Sequence, residues 1–164
     1  MYRRSLARMT NDVSPIIRTE TIGELVIAEA QRGRVDDQLL QDLVDASQRA
    51  GHTRAAAEDL ADSSLRLLGR RQPARAAELL ACSIVLDLMA ASDDDIPNSV
   101  FEVIARLTFV AVREGHRSFA PRLRSELARH LHSQALSILV DESLVAAREV
   151  LAERRSQSSL KRGD

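Results

Sequence analysis

Apolar residues recur along this chain at intervals of three and four positions, the spacing that places them on one face of an α-helix. Three such stretches occupy the first half of the sequence from residue 19 onward. Each ends near a glycine, at Gly33, Gly51 and Gly69. Polar residues fill the opposite side of each stretch, as in the surface helices of a globular domain. The pattern therefore predicts three amphipathic helices.

Residues that cap helices stand at the start of each stretch. Thr21 and Glu24 match the capping box, in which a hydroxyl and a carboxylate bind free backbone amides. Asp36 and Thr53 are the predicted caps of the next two helices. Gly51 is the predicted C-terminal end of the second helix.

The stretch from residue 73 to residue 114 has apolar residues at almost every position, on both sides of the acidic turn at 92–95. Pro73 and Pro97 stand where two helices would begin. A helix that is apolar nearly all round is a buried one. We therefore predict a central hairpin around which the other helices pack, with five nearly inaccessible side chains. These are Leu80, Ile84, Val103, Ile104 and Leu107.

The last apolar segment starts with Pro121 in the first turn of a helix, and its apolar positions include Leu123, Leu127 and Leu131. Because no Gly or Pro occurs between residues 122 and 162, one long helix is compatible with the sequence. Asp141, with valines on either side, resembles a further helix cap. We therefore favour a break near Asp141, followed by a seventh helix over residues 142–155.

The composition supports an all-α fold. Aromatic residues make up 2 % of the chain, tryptophan is absent, and there are only six glycines. The common residues, chiefly Leu, Ala and Arg, favour helices. We predict six or seven antiparallel helices that form an irregular bundle, or a short helical-hairpin array, around the buried central hairpin. The predicted organisation is a flexible basic arm (1–18), a single all-α domain (19–155) and a disordered tail (156–164).

The cellular location is predicted from cysteine usage and the N-terminal sequence. The single cysteine, Cys82, cannot form an internal disulfide, and no apolar run approaches the ~20 residues of a membrane span. No apolar segment follows the first residues, so a secretory signal is not expected. Of the 23 basic residues only Lys161 is lysine, which is typical of a GC-rich bacterial genome. These features predict a protein of the bacterial cytoplasm.

One segment resembles a known repeat family. Gly69 followed by Ala76, Leu80 and Ile84 is similar to the second helix of a tetratricopeptide repeat. The resemblance covers residues 69–86, about one unit. It departs from the family pattern because the turn after Gly69 has two additional residues and the bulky aromatic positions are missing. The resemblance implies a protein-binding helical array.

Candidate catalytic and metal-binding residues are few. His130 and His132 point roughly 200° apart on a helix and cannot share a metal ion there. Cys82 lies among apolar neighbours, as an inert core thiol does, and Asp93–Asp95 suit a helix start better than a calcium loop. No phosphate-binding loop or nucleophile motif occurs. We therefore predict no catalytic, cofactor-binding or metal-binding residue, which favours a non-catalytic protein without excluding an enzyme.

The sequence between residues 113 and 132 is rich in positive charge, a pattern that occurs in nucleic-acid-binding proteins. Its basic residues are Arg113, His116, Arg117, Arg122, Arg124, Arg129, His130 and His132. However, Glu126 has the spacing to pair with Arg122 and Arg129, and the sequence pI is about 6.4. A DNA-associated regulator is therefore the first alternative function, and a helical enzyme or small-ligand-binding protein is the second.

The favoured function is protein binding, by an adaptor or chaperone-like domain. The hydrophobic stretch at 135–140 places apolar residues on more than one helix face, and contiguous exposed apolar surface is typical of an interface. Nearby arginines would provide a charged rim. We predict self-association or binding of another protein there, without a membrane partner. The predicted partner-binding residues are Arg122, Arg129, Leu136, Leu139 and Val140.

Overall fold

The computed structural model describes residues 14–91 and 95–160, and these residues form seven α-helices without a β-strand. This confirms the predicted all-α class. The helices are α1 (Pro15–Arg32), α2 (Asp37–Ala50), α3 (Thr53–Gly69), α4 (Pro73–Ala90), α5 (Asn98–Arg113), α6 (Phe119–Leu131) and α7 (Gln134–Leu160). Residues 1–13 of the predicted arm, 92–94 of the acidic turn and 161–164 of the predicted tail lie outside the described residues.

Several predicted helix ends are confirmed. The Asp36 carboxylate accepts a hydrogen bond from the backbone N–H of Gln38 at 2.7 Å, which satisfies a free amide at the start of α2. Gly51 ends this helix in the left-handed conformation, with φ of 63°. Pro73 occupies the first turn of α4, where its missing N–H costs no hydrogen bond.

The predicted start of the first helix is wrong. This helix begins at Pro15, so Thr21 lies inside it and donates its hydroxyl hydrogen bond to the carbonyl of Ile17 at 2.8 Å. Pro15 starts the helix because its φ is already helical and its position needs no N–H donor. Thr53 likewise is the first residue of α3 rather than its cap, which is His52.

Helix α4 lies at the centre of the fold, as its all-apolar sequence predicts. Every residue from Ala76 to Leu86 is buried. The helix packs most extensively against α3, then against α6. Two buried serines join α3 and α4: Ser64 donates to the carbonyl of Ala76, and Ser83 donates to the carbonyl of Ala57, each at 2.6 Å.

The predicted pairing of α4 with α5 as a central hairpin is wrong. Helix α5 makes few contacts with α4 and packs mainly against α7. It buries one face, which includes Ile104 and Leu107, and leaves Phe101 43 % exposed. Four of the five predicted inaccessible side chains are buried, whereas Val103 is partly exposed.

The C-terminal segment divides at a different place from the one predicted. His132 adopts the left-handed conformation with φ of 43° and ends α6, and α7 then runs for 27 residues through Asp141 without a break. The Asp141 carboxylate binds Arg124 of α6 at 3.0 Å instead of capping a helix. The predicted domain boundary at 155 falls inside α7, and the one at 19 falls inside α1.

Candidate functional site

A strongly apolar groove lies between α5 and α7. Its cavity volume is about 520 Å³. One wall comes from α5 and the other from α7, because these two helices pack along much of their length. The apolar lining residues are Ala105, Phe109, Val110, Ala146, Ala147 and Val150. We name this depression the α5–α7 groove.

Two further apolar side chains of α7 are exposed outside the α5–α7 groove. Ile138 is 49 % exposed and Val145 is 53 % exposed, and both lie on one side of the helix, but neither lines the groove. At the far end of the groove the guanidinium of Arg154 lies 5.5 Å from the centre of the Phe109 ring. This cation–π contact covers part of the ring.

Three glutamates border the α5–α7 groove. Glu142, Glu149 and Glu153 are exposed, and Glu142 lines the groove, while the spacing of the other two places them on the same side of α7 as Glu142. None of the three forms a salt bridge within residues 14–91 and 95–160. On the α5 side, Arg106 is paired with Asp62 at 3.1 Å. The rim of the α5–α7 groove is therefore acidic.

The three apolar residues predicted to bind a partner lie in the core instead. Leu136, Leu139 and Val140 are buried, with Leu139 only 8 % exposed. The prediction placed part of this segment on the exposed side of α7. In the fold Leu136, Leu139 and Val140 all lie on the one buried side of α7, which packs against α5 and α6, whereas Ile138 and Val145 lie on the opposite side.

The two arginines predicted to bind a partner already have carboxylate partners within the chain. Arg122 binds Glu126 at 2.8 Å. Arg129 binds Glu126 at 3.0 Å and also Asp37, at the start of α2, at 3.0 Å. Arg113 and Arg124 are likewise paired, with Glu114 and Asp141. These pairs reduce the positive charge that the 113–132 surface offers to phosphate groups.

Arg129 belongs to a buried polar cluster that the sequence analysis did not find. Its centre is Glu78, a fully buried residue of α4, whose Oε1 accepts a hydrogen bond from the backbone N–H of Val35 and lies 4.0 Å from the Arg129 guanidinium. The other oxygen, Oε2, has no hydrogen-bond partner among the described residues. Burial raises the pKa of the Glu78 carboxyl, and the nearby carboxylate of Glu126 raises it further, whereas the Val35 hydrogen bond and Arg129 oppose the shift.

The buried polar cluster joins separate parts of the chain. Val35 lies in the connection between α1 and α2, Asp37 begins α2, Glu78 lies on α4, and Arg129 lies on α6. Because the Glu78 side chain is sealed from solvent, its carboxylate offers no access to a substrate. The contacts of the cluster hold four chain segments together. Glu78, the one carboxylate in the buried stretch 76–86 of α4, was the sequence signal for it.

The remaining candidate residues also have structural surroundings. The ring Nε2 of His130 accepts a hydrogen bond from Arg129 at 3.0 Å, and burial together with this guanidinium lowers the pKa of His130. Burial raises the pKa of the Cys82 thiol far above its usual range, so this sulfur is not a nucleophile. In the part of the chain that the structure describes, no group of three or more His, Cys, Asp or Glu residues could hold a metal ion.

The raised pKa of Glu78 predicts a pH dependence that Glu78→Gln removes. The folded protein binds the proton of the Glu78 carboxyl more tightly than the unfolded chain does. The stability that this proton contributes is complete below the ordinary pKa near 4.5 and is lost as the pH rises through the raised pKa of the folded protein. The free energy of unfolding of E78Q, minus that of the natural protein, should therefore increase as the pH rises from about 4.5 through the raised pKa. Urea denaturation between pH 4 and pH 8 measures this difference.

His130 changes stability in the opposite direction, but it does not affect the difference between E78Q and the natural protein. Its lowered pKa makes the folded state lose stability as the pH falls below about 6.5. Because His130 is present in both proteins, its contribution cancels in the difference between them. A difference that stays constant from pH 4 to pH 8 would contradict the role assigned to Glu78.

The comparisons with known proteins give no relative for this chain. No family model, no curated protein sequence and no solved structure matches it. Within the two described segments, no helix has both the length and the apolar character needed to cross a membrane. The features of the molecule that indicate a function are therefore the α5–α7 groove and the charges around it.

Proposed function

We propose that this chain is a non-catalytic protein-binding domain, and that it binds a helix of another protein in the α5–α7 groove. The observation that carries the proposal is the apolar lining of the groove, which is open to solvent and leaves Val150 of α7 39 % exposed. Apolar surface of this kind typically marks an interaction site. An amphipathic helix that lays its apolar face in a groove is a common form of recognition.

The acidic rim indicates the chemistry of the partner. Glu142, Glu149 and Glu153 would be partly desolvated when an apolar helix covers the groove, which costs free energy unless opposite charges face them. A helix with Lys or Arg on both sides of its apolar face supplies those charges. Such charge complementarity favours the correct partner and speeds association. We therefore infer a basic amphipathic helix as the partner.

The dimensions of α7 suit this partner. Its 27 residues extend for about 40 Å, at about 1.5 Å for each residue. Among the described helices, α7 contacts only α5 and α6, and its groove-lining residue Val150 remains 39 % exposed. A partner helix of about three turns can follow the groove from Glu142 to Arg154. We place this adaptor function in the bacterial cytoplasm, as the arginine-rich composition and single cysteine suggest.

A synthetic peptide tests the recognition chemistry directly. The probe is a labelled helical peptide with Leu and Ile on one face and Lys on both flanks, and its charge-reversed form has Glu in place of Lys. We expect the basic peptide to bind and the acidic one to bind at least about tenfold more weakly, since like charges at an interface are repulsive. Val150→Asp should weaken binding of the basic peptide by about tenfold or more, because Val150 lines the groove and an aspartate there places a charge in the apolar lining. Fluorescence anisotropy measures both.

Control variants separate binding from folding. Arg49→Gln changes an exposed residue of α2, a helix that contacts neither α5 nor α7, and should leave the affinity unchanged. Circular dichroism should show the same helicity for V150D and the natural protein, because Val150 is exposed. Equal binding of the two peptides, or equal binding by V150D and the natural protein, would refute the proposal.

A cross-linking experiment connects the test to the natural partner. A photoreactive amino acid at position 150 should capture a protein in a lysate of the host, whereas the same amino acid at position 49 should not. The captured protein must contain a basic amphipathic helix, and a peptide of that helix must lose affinity for V150D. Capture of a protein whose isolated helix does not bind would count against the groove as the docking site.

A further inference from the structure

A second cavity lies on the other side of α7 from the α5–α7 groove. Its volume is about 500 Å³, within the range of small-molecule binding pockets. The turn between α5 and α6 closes one end, and Leu144 of α7 lines one side. Its apolar lining includes Ala111, Val112 and Phe119. We name it the arginine pocket, after the charged residues described next.

The charged side chains that line the arginine pocket are all basic. Arg117 comes from the turn between α5 and α6, while Arg148 and Arg155 lie seven residues apart on one side of α7. No carboxylate lines the cavity. These three arginines form no salt bridge with any residue that the structure describes, in contrast to the paired arginines of α6. Three guanidinium groups around one cavity favour a bound anion.

Two further features point to the same ligand chemistry. Phe119 and Ala120, which line the pocket, begin α6, and this helix start has neither a side-chain cap nor an acidic residue in its first turn. The positive end of the helix dipole therefore faces no negative group of its own. Thr108, also in the lining, is fully buried, and its hydroxyl oxygen has no hydrogen-bond partner among the described residues.

The histidine of the pocket has a different role. The Nε2 atom of His116 lies 3.0 Å from the carbonyl of Leu68 at the end of α3 and 3.3 Å from the carboxylate of Glu114. Arg113 occupies the same carboxylate at 3.4 Å. His116 therefore anchors the α5–α6 turn to α3 and positions Arg117. The arginines remain the groups that are available to a ligand.

We propose that the arginine pocket binds an amphipathic organic anion. The head, a carboxylate or a phosphate, lies between Arg117, Arg148 and Arg155. The apolar part lies against Val112 and Leu144. Bidentate hydrogen bonds from guanidinium groups suit both kinds of head. This inference does not depend on the proposed docking of a helix, because the two sites use opposite sides of α7.

Four simple probes test the ligand class: decanoate, decyl phosphate, decanol and inorganic phosphate. Decanoate or decyl phosphate should bind at least about tenfold more tightly than decanol, since an ionic hydrogen bond is stronger than a neutral one. Inorganic phosphate should bind more weakly than decyl phosphate, because it lacks an apolar part to bury. Calorimetric titration measures the four affinities, and the ratio of decanoate to decyl phosphate identifies the preferred head.

Variants and NMR locate the site. Arg148→Gln and Arg155→Gln should each weaken binding of the preferred probe by about tenfold, whereas Arg49→Gln, on the distant helix α2, should not change it. The methyl signals of Thr108, Val112 and Leu144 should shift on titration, and those of Val145 and Val150 should not. Decanol binding as tightly as both anions would overturn the proposal. So would unchanged affinity in both α7 variants, or signal shifts confined to the α5–α7 groove.

Discussion

Replacing Arg129 with alanine is expected to lower the free energy of unfolding by about 3 kcal/mol. Removing one partner of a buried ion pair typically costs about 3–5 kcal/mol, because the opposite charge stays buried without compensation. Arg129 forms salt bridges with the carboxylates of Glu126 and Asp37, and its guanidinium lies 4.0 Å from Glu78. We place the loss at the lower end of the range because Glu78, with its raised pKa, can take up a proton when Arg129 is absent.

Urea denaturation at pH 7 measures this loss, and Arg124→Ala is the matched control. Arg124 also lies on α6 and also binds a carboxylate, that of Asp141, but both side chains of this pair are about half exposed. Exposed ion pairs contribute about 0–1 kcal/mol, so R124A should be nearly as stable as the natural protein. Equal stability of R129A and R124A would show that the buried polar cluster does not hold the helices together.

The same cluster shows which features of the fold could be predicted from local sequence. Helix periodicity, the Asp36 cap and the burial of α4 each depend on residues that are close together in the chain, and the structure confirms them. The pairing of Arg129 with Asp37 joins residues 92 positions apart. No spacing rule relates such residues. A single carboxylate in an apolar helix does show that a distant partner is needed, because a buried charge without a partner is costly.

Helix partners and helix breaks were the weakest predictions, for a related reason. A strongly apolar sequence shows that a helix is buried but does not show against which neighbour. The sequence therefore predicted that α5 pairs with α4, although α5 packs mainly against α7. The break at His132 has no Gly or Pro to mark it, since the left-handed conformation falls on a histidine. Asp141 resembled a cap because its actual partner, Arg124, lies 17 residues away.

The candidate site depends on a distinction that periodicity alone cannot make. Ile138, Leu139 and Val140 are consecutive apolar residues, so at most two of them can share a buried side of α7. The packing of α7 against α5 and α6 decides which two: Leu139 and Val140 are buried, and Ile138 is exposed. The three apolar residues of this segment that the sequence predicted for an interface therefore lie in the core.

Replacing Ile104 with alanine is expected to lower the free energy of unfolding by about 2–5 kcal/mol, the usual result of deleting a buried aliphatic side chain. Ile104 is fully buried on the inner face of α5. The substitution leaves a cavity in the core next to α5, the helix that forms one wall of the α5–α7 groove. Thermal and urea denaturation measure the effect.

Phe101→Ala, one turn earlier on the same helix, is the matched control for I104A. Phe101 is 43 % exposed, so its truncation removes less buried area even though the ring is larger than the isoleucine side chain. The smaller residue should therefore cause the larger loss of stability, because burial rather than size decides the cost. Equal losses in the two variants would mean that α5 buries a different face from the one that carries Ile104. The wall of the α5–α7 groove would then have to be assigned again.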